Sequence, residues 1–138
     1  MAAEPTSTTV HSLGDLVALR RFLWRELERR GCSQNDGEAV ILAAHEAAKN
    51  GLRYSGERPV YITLHFALDR VVVCVADCGQ GFDYSRWQGS PPPGAHRPSG
   101  RGLHLMQQLM DQVEVAGQPF GCVVRMRKRL ALDSAADE

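Results

Sequence analysis

A carboxylate and an amide lie one helical turn apart near the middle of the sequence. Glu46 and Asn50 are four residues apart in an alanine-rich segment, and a helix would project both side chains from one face. An amide carbonyl and a carboxylate are the oxygen ligands that Mg²⁺ and its water shell prefer. This pair is therefore a candidate site, and the alternative is that both side chains are solvated on the helix surface.

A second acidic residue ends an apolar run. The run Val71–Ala76 is β-branched and too short for a typical helix, so it predicts a strand buried on both faces. Asp77 follows directly and begins the pattern Asp-x-Gly-x-Gly, which contains Gly79 and Gly81. A buried carboxylate needs a partner, and glycines let the backbone approach a ligand. The pattern predicts a ligand site, with an ordinary turn and a solvated aspartate as the alternative.

A third motif pairs two glycines with an apolar stripe. Gly100 and Gly102 flank Arg101 and precede Leu103–Met110, whose apolar residues recur at helical spacing. Glycines at a helix start leave N–H groups exposed, and the positive end of the helix dipole favours a phosphate there. The sequence therefore predicts a phosphate-binding turn that opens this helix.

The elements that must position these motifs follow from hydrophobic spacing and from start and stop signals. We predict one helix from Asp15 until Gly31 and a second from Ser33 to about Tyr54. Segment 83–99 is rich in proline and lacks periodicity, so we predict a lid beside the site. The predicted strands are a short edge strand at Val10–Leu13, a hairpin of Val60–Leu68 and Val71–Ala76, and a closing hairpin of Asp111–Val115 and Cys122–Leu130.

Composition restricts the classes of protein. The 138 residues, 43% of them hydrophobic, suffice for one domain with a real core. Sixteen basic and sixteen acidic residues cancel, which argues against direct binding of nucleic acid or of an anionic membrane. No apolar run reaches membrane-spanning length and the first residues lack signal-peptide features, so we predict a cytoplasmic protein. The four cysteines form no CxxC pair and predict reduced thiols rather than a metal site.

Three regions are predicted along the chain. Residues 1–9 are small and polar and predict a flexible lead-in, residues 10–130 form the folded domain, and residues 131–138 predict a flexible acidic tail.

In order and spacing, the three motifs resemble the N, G1 and G2 boxes of the GHKL superfamily of ATP-binding domains. Within it, stretches 45–50 and 100–113 are most similar to the small bacterial anti-sigma factor serine kinases of the RsbW and SpoIIAB type. The resemblance covers residues 10–130. It implies an α/β (α+β) two-layer sandwich, with a mixed, mainly antiparallel sheet, helices on one face and ATP bound between the layers.

The resemblance also implies a role for each motif residue. Asp77 would accept a hydrogen bond from the adenine amino group, beside the turn formed by Gly79 and Gly81. Asn50 would hold Mg²⁺, and Glu46 would be the catalytic base. The residues that would wrap the phosphate chain are Gly100, Arg101, Gly102 and Leu103.

The activity that the resemblance implies is that of a protein serine/threonine kinase in a partner-switching pathway. Such a protein binds a sigma factor in one state and phosphorylates a serine of an anti-anti-sigma (STAS-type) antagonist in another. The alternative is a non-catalytic, ATP-gated module that sequesters or activates a partner such as a phosphatase. An intact Glu46 favours the kinase, because a gated clamp needs no base. The resemblance is compatible with a homodimer. At position 51 this sequence has a glycine where the family usually has an alanine.

Overall fold

One sheet and three helices make up the part of the chain that the computed structural model describes, residues 4–55, 58–77, 97–118 and 121–131. The predicted turn glycines Gly79 and Gly81, and the predicted lid up to residue 96, lie outside these ranges. The elements in chain order are β1 (Thr6–Val10), α1 (Leu16–Arg29), α2 (Gln34–Tyr54), β2 (Val60–Ala67), β3 (Arg70–Asp77), α3 (Arg97–Leu109), β4 (Gln112–Gln118) and β5 (Gly121–Arg129).

The five strands form a sheet of order β1-β2-β3-β5-β4, and all its described pairings are antiparallel. A tight link at Leu68 and Asp69 joins β2 to β3, one residue earlier than Asp69–Arg70, which separates the two predicted strands. β3 lies at the centre of the sheet, with β2 and β5 on either side, and its last residue, Asp77, pairs with Cys122 of β5. The predicted fold class, an α/β sandwich with a mainly antiparallel sheet, is confirmed.

Alternation along the strands separates a helix-facing side of the sheet from an open side. Val60, Ile62, Leu64 and Phe66 of β2 are buried in one core with the leucines of α1 and the alanines of α2. The sequence predicts that β3 is buried on both faces. The three helix-facing valines of β3 are fully buried, but on the open face only Val72 is, whereas Cys74 and Ala76 are half-buried.

Helix α2 carries the first motif, and local sequence signals set its ends. The backbone N–H of Asp36 donates to the Ser33 side chain at 3.3 Å, which is the predicted N-cap. Gly31, with φ of 75°, ends the preceding segment in the left-handed region that glycine tolerates. Among the described helices, none is long and apolar enough to cross a membrane.

The bounds of β1 and of the start of α3 differ from the sequence predictions by several residues. The edge strand expected at Val10–Leu13 instead spans Thr6–Val10, so part of the predicted flexible lead-in pairs with β2. Helix α3 begins at Arg97 rather than at the glycines, and Gly100 and Gly102 therefore lie inside its first turns. Proline is compatible with the first turn of a helix, which is why the end of the proline-rich segment can be helical.

Candidate functional site

A small cavity lies where α2 and α3 pack over the ends of β3 and β5. It has a volume of about 30 Å³, and its lining is mainly apolar, with the polar side chains of Asn50 and Asp77 and the thiol of Cys122. The lining has the composition of a ligand site, mostly apolar with a few convergent polar groups, but the cavity has room only for water, so a nucleotide would occupy it only if the surrounding elements move apart. The remaining lining residues are Ala47, Gly51, Val75, Leu103, Met106, Val115 and Val124.

Helix α3 lies close to α2 at Gly102. A Cβ atom built on Gly102 would lie 2.8 Å from Nδ2 of Asn50 and 3.4 Å from Oε1 of Glu46. Real Cβ atoms do not make contacts of 2.8 Å, so any larger residue at this position would displace the Asn50 amide. The absence of a side chain at Gly102 thus lets the first and third sequence motifs lie in contact.

Asn50 has an oxygen without a partner. Its Oδ1 atom is buried, and no described residue donates a hydrogen bond to it. Leaving a buried acceptor unsatisfied costs about 1–3 kcal/mol, so such atoms commonly mark a position for an ion, a water or a ligand. Asn50 therefore offers an amide oxygen to a bound group, which fits the predicted Mg²⁺ ligand.

Glu46 is paired with a lysine that the sequence does not single out as its partner. Lys49 donates to Oε2 of Glu46 at 3.0 Å, and the Glu46 side chain is only 15% exposed. The i,i+3 spacing could have indicated this pair. Oε1 points toward Gly102 of α3, so the carboxylate has one oxygen on the lysine and one toward the helix contact.

The neighbouring His45 belongs to a different contact. The sequence groups His45 with Lys49 on one helix face, but His45 Nδ1 lies 3.3 Å from Nη1 of Arg20 on α1. Burial, and then the charge of Arg20, lower the pKa of His45. His45 is therefore neutral near pH 7 and can accept a hydrogen bond from Arg20, which ties α1 to α2 beside the site.

Asp77 and Cys122 face each other across the central strands. They are paired residues in the register of β3 and β5, and both line the cavity. Burial, and to a lesser degree the charge of Asp77, raise the pKa of the Cys122 thiol to about 12. The thiol is therefore protonated at neutral pH and inert as a nucleophile, and Asp77 carries the negative charge of this corner.

Gly51 allows α2 to reach the end of β3. A Cβ atom built there would meet the two Val60 methyl groups at 3.0 and 3.1 Å and Cβ of Asp77 at 3.5 Å. An alanine at this position would push Val60 away by a few tenths of an ångström. The departure from alanine noted in the sequence thus has a packing reason next to Asp77.

The predicted site residues fall into three groups. Glu46, Asn50, Asp77, Gly102 and Leu103 surround the cavity or the helix contact beside it. Gly100 and Arg101 belong to α3 and directly precede the site residue Gly102 in sequence. Gly79 and Gly81 lie outside the described residues. Sequence analysis missed the β4 and β5 residues Val115, Cys122 and Val124, which strand register brings to the cavity and no local motif marks.

Comparison with protein families agrees with this geometry. The family model of the histidine kinase-like ATPase domain matches residues 10–128. The serine-protein kinase RsbW of Bacillus velezensis is 34% identical over 115 residues, which cover 74% of this chain and 70% of that protein. RsbW of Halalkalibacterium halodurans is 30% identical over 140 residues, covering 94% of this chain and 86% of that protein.

Solved structures show the same fold at lower identity. A Mycobacterium tuberculosis structure of RsbU and RsbW domains matches with a TM-score of 0.71 and 17% identity. The match covers 93% of this chain but only 33% of that longer chain. The Acinetobacter baumannii histidine kinase AdeS matches with a TM-score of 0.55 and 10% identity, over 93% of this chain and 69% of that one.

Proposed function

Since this chain belongs to the histidine kinase-like ATPase domain family, we propose that it is an ATP-dependent protein serine/threonine kinase. Its substrate is a serine of an anti-anti-sigma (STAS-type) protein, and in its other state it holds a sigma factor. The relatives described as serine-protein kinase RsbW, at 34% and 30% identity, support the kinase. The proposal places the protein in the cytoplasm, without direct contact to nucleic acid or membrane, and leaves a homodimer open.

One observation supports this function most directly. Oδ1 of Asn50, which is buried and has no partner among the described residues, lies on the same helix face as the carboxylate of Glu46, and the absence of a side chain at Gly102 leaves room for Nδ2 of Asn50 and Oε1 of Glu46. An oxygen ligand next to a carboxylate is the pair that phosphoryl transfer needs, since one group holds the metal and the other takes a proton.

Each polar residue around the cavity would bind a different part of Mg-ATP. Asp77 would accept a hydrogen bond from the adenine amino group against the apolar floor formed by Val75 and Met106. Oδ1 of Asn50 would be the protein ligand of Mg²⁺, which supplies charge neutralisation on the phosphates when bound. The backbone of Gly100–Leu103 would follow the phosphate chain. No group of three or more acidic, histidine or cysteine side chains gathers as a metal cage in the described ranges, so a single amide ligand with phosphates suits this site.

Glu46 would act on the substrate hydroxyl. The serine oxygen attacks the γ-phosphorus, the bond from the γ-phosphorus to the β,γ-bridging oxygen breaks, and ADP leaves with the electron pair. Glu46 takes the serine proton as the bond between the serine oxygen and the γ-phosphorus forms. Lys49 holds Oε2 of Glu46 at 3.0 Å, so either Oε1 takes the proton or Lys49 moves aside first.

A second candidate function is a non-catalytic ATP-gated module, which sequesters a partner or activates one such as a phosphatase. The Lys49–Glu46 pair favours it, because a carboxylate held by an ammonium group is less available as a base. In this reading ATP sets the shape of the partner surface and no phosphate is transferred.

The experiment that separates these functions is phosphate transfer to native partners. The protein is purified from its host with the proteins bound to it, and ATP labelled at the γ-phosphate is added. The proposed kinase transfers label to a serine of a co-purified protein. A gated module leaves every co-purified protein unlabelled.

Replacing Asn50 by alanine is expected to weaken ATP binding about tenfold more in Mg²⁺ than in EDTA. The variant removes the oxygen assigned to the metal, and one lost contact of this kind corresponds to about 1.4 kcal/mol. Calorimetric titration in the two buffers measures the difference. An equal loss in Mg²⁺ and in EDTA would mean that Asn50 serves packing alone.

Gly102→Ala should separate binding from folding. The added methyl group meets Nδ2 of Asn50 at 2.8 Å and displaces that amide, so we expect ATP affinity to fall roughly tenfold. Alanine is favoured over glycine inside a helix by about 0.8–1 kcal/mol, which offsets the cost of moving the Asn50 amide, so the free energy of unfolding should change little. Denaturant titration and calorimetry measure the two quantities.

Gly14→Ala is the matched control, because a Cβ atom there meets only Oγ of Ser12, at an ordinary 3.6 Å. Unchanged ATP affinity in Gly102→Ala, or a fall of the same size in the control, would contradict the role given to the helix contact.

A further inference from the structure

A second cleft lies at the end of the sheet away from the cavity. It has a volume of about 710 Å³, within the range of about 300–1,000 Å³ that small-molecule sites occupy. Arg127 of β5 is five residues from the cavity residue Cys122, which corresponds to about 17 Å along a strand. The residues that line the cleft are Asp36, Arg70, Asp111, Gln112, Arg127, Arg129, Leu130 and Ala131.

Arg127 is the unusual member of this lining. It is half-buried, and its Nε atom is fully buried without a hydrogen-bond partner in the described part of the chain. No described carboxylate forms an ion pair with its guanidinium group. Burying a guanidinium N–H group without an acceptor is unfavourable, so an arginine kept in this position indicates an anion that binds from outside.

The two aspartates of the cleft are already engaged. Oδ2 of Asp36 accepts the backbone N–H of Ala131 at 2.7 Å, and Oδ2 of Asp111 accepts the backbone N–H of Arg129. Lys128 also lies 3.9 Å from Oδ1 of Asp36. These carboxylates hold Arg129 and Ala131 against the residue that precedes β4 and against the start of α2, and neither forms an ion pair with Arg127.

The other two arginines are exposed and share one partner. Arg70 and Arg129 lie opposite each other in strand register, and both pair with Asp69, at 3.3 and 3.6 Å. Side-chain exposures of 49% and 80% leave these pairs weak and easily exchanged. Three guanidinium groups therefore face one cleft, one of them unpaired and two loosely paired.

We propose that this cleft binds an acidic segment of a protein partner, with a carboxylate of that segment paired to Arg127. Arg127 and Arg129 are two positions apart on β5, which sets same-face side chains about 7 Å apart. Alternate side chains of an extended acidic segment have the same repeat, and the guanidinium fork suits carboxylates. Asp36 and Asp111 in the wall repel a phosphate dianion more strongly than a single carboxylate, which favours the acidic segment.

This proposal does not depend on the proposed kinase activity. The cleft contains no residue of the ATP site, and the two lie at opposite ends of the central strands. Failure of either proposal would therefore leave the other intact, provided that ATP binding is measured on the same variants.

The test uses a fluorescent octaglutamate peptide, the full chain and fluorescence anisotropy at low ionic strength. Arg127→Gln is expected to weaken peptide binding at least tenfold. Arg125→Gln is the matched control, because Arg125 lies on the same strand and face but is exposed and outside the cleft, and it should change affinity less than twofold. ATP affinity should be the same in both variants and in the unmodified chain.

Three results would overturn the proposal. The first is an absence of peptide binding, and the second is an equal loss in the two variants, which would indicate a diffuse basic surface. The third is displacement of the peptide by pyrophosphate at a concentration comparable with its own affinity, which would indicate a phosphate ligand.

Stability provides the remaining check. Removing an unpaired, half-buried charge should leave the free energy of unfolding of Arg127→Gln equal to or above that of the unmodified chain. A clear decrease would mean that Arg127 is a structural residue and would overturn the proposal.

Discussion

Asp77→Asn is expected to lower ATP affinity by about 3 kcal/mol, roughly a hundredfold. The carboxylate is assigned as the acceptor for the adenine amino group, and an amide can turn its NH₂ toward that donor and leave both unsatisfied. Asp77 ends the central strand and lines the cavity opposite Cys122, so neither side of the contact can move away easily. Calorimetric titration of ATP measures the loss.

Asp69→Asn is the matched control for this variant. It makes the same chemical change at the other end of β3, where the side chain is 45% exposed and pairs with Arg70 and Arg129. It should leave ATP affinity unchanged. Wild-type ATP affinity in Asp77→Asn would show that the carboxylate does not bind the adenine amino group. A loss of affinity shared with Asp69→Asn would indicate a general charge effect.

The sequence predicts most of the elements, because their signals are local. The Ser33 cap, the stop at Gly31 and the alternation of Val60–Ala67 each depend on residues within a few positions, and the structure has each where it is predicted. The ends that differ depend on distant partners. β1 pairs at Thr6–Val10 because β2 offers a register there, which no local pattern in the small polar residues reveals.

The site could be predicted in part for the same reason. Glu46 and Asn50 share one helix, so spacing alone places them together, and Asp77 is marked by the abrupt end of an apolar strand. The contact of Gly102 with Asn50 joins two helices that are far apart in sequence, and Cys122 reaches Asp77 through strand register. Such long-range contacts follow from the whole fold, so the sequence motifs predict the residues but not their separation.

Arg127 is a residue that the sequence pattern does not distinguish from its neighbours. Its alternation with Arg125 and Arg129 predicts one strand face, and by sequence the three arginines are equivalent. In the structure Arg125 and Arg129 are exposed, whereas Nε of Arg127 is buried and has no hydrogen-bond partner among the described residues. Burial depends on neighbouring strands and loops, which is why only the structure separates the three.

Glu46→Gln is the variant that should affect phosphate transfer most. It keeps the shape and the hydrogen-bonding reach of the side chain but removes its basicity, so transfer to the serine of the antagonist should fall roughly a hundredfold or more, the scale expected of a general base. The ion pair with Lys49 is also lost, but a partly exposed pair contributes about 1 kcal/mol or less. ATP and sigma-factor binding should therefore stay near wild type.

Glu38→Gln is its matched control. Glu38 is an exposed glutamate on the same helix, and its side chain accepts a hydrogen bond from Gln34. Label transfer from γ-labelled ATP to the co-purified antagonist measures both variants beside the unmodified protein. Transfer retained in Glu46→Gln would remove this carboxylate from the mechanism while leaving the ATP site intact. An unmodified protein that labels no partner would instead favour the gated module, in which the Lys49–Glu46 pair is a fixed part of the helix surface.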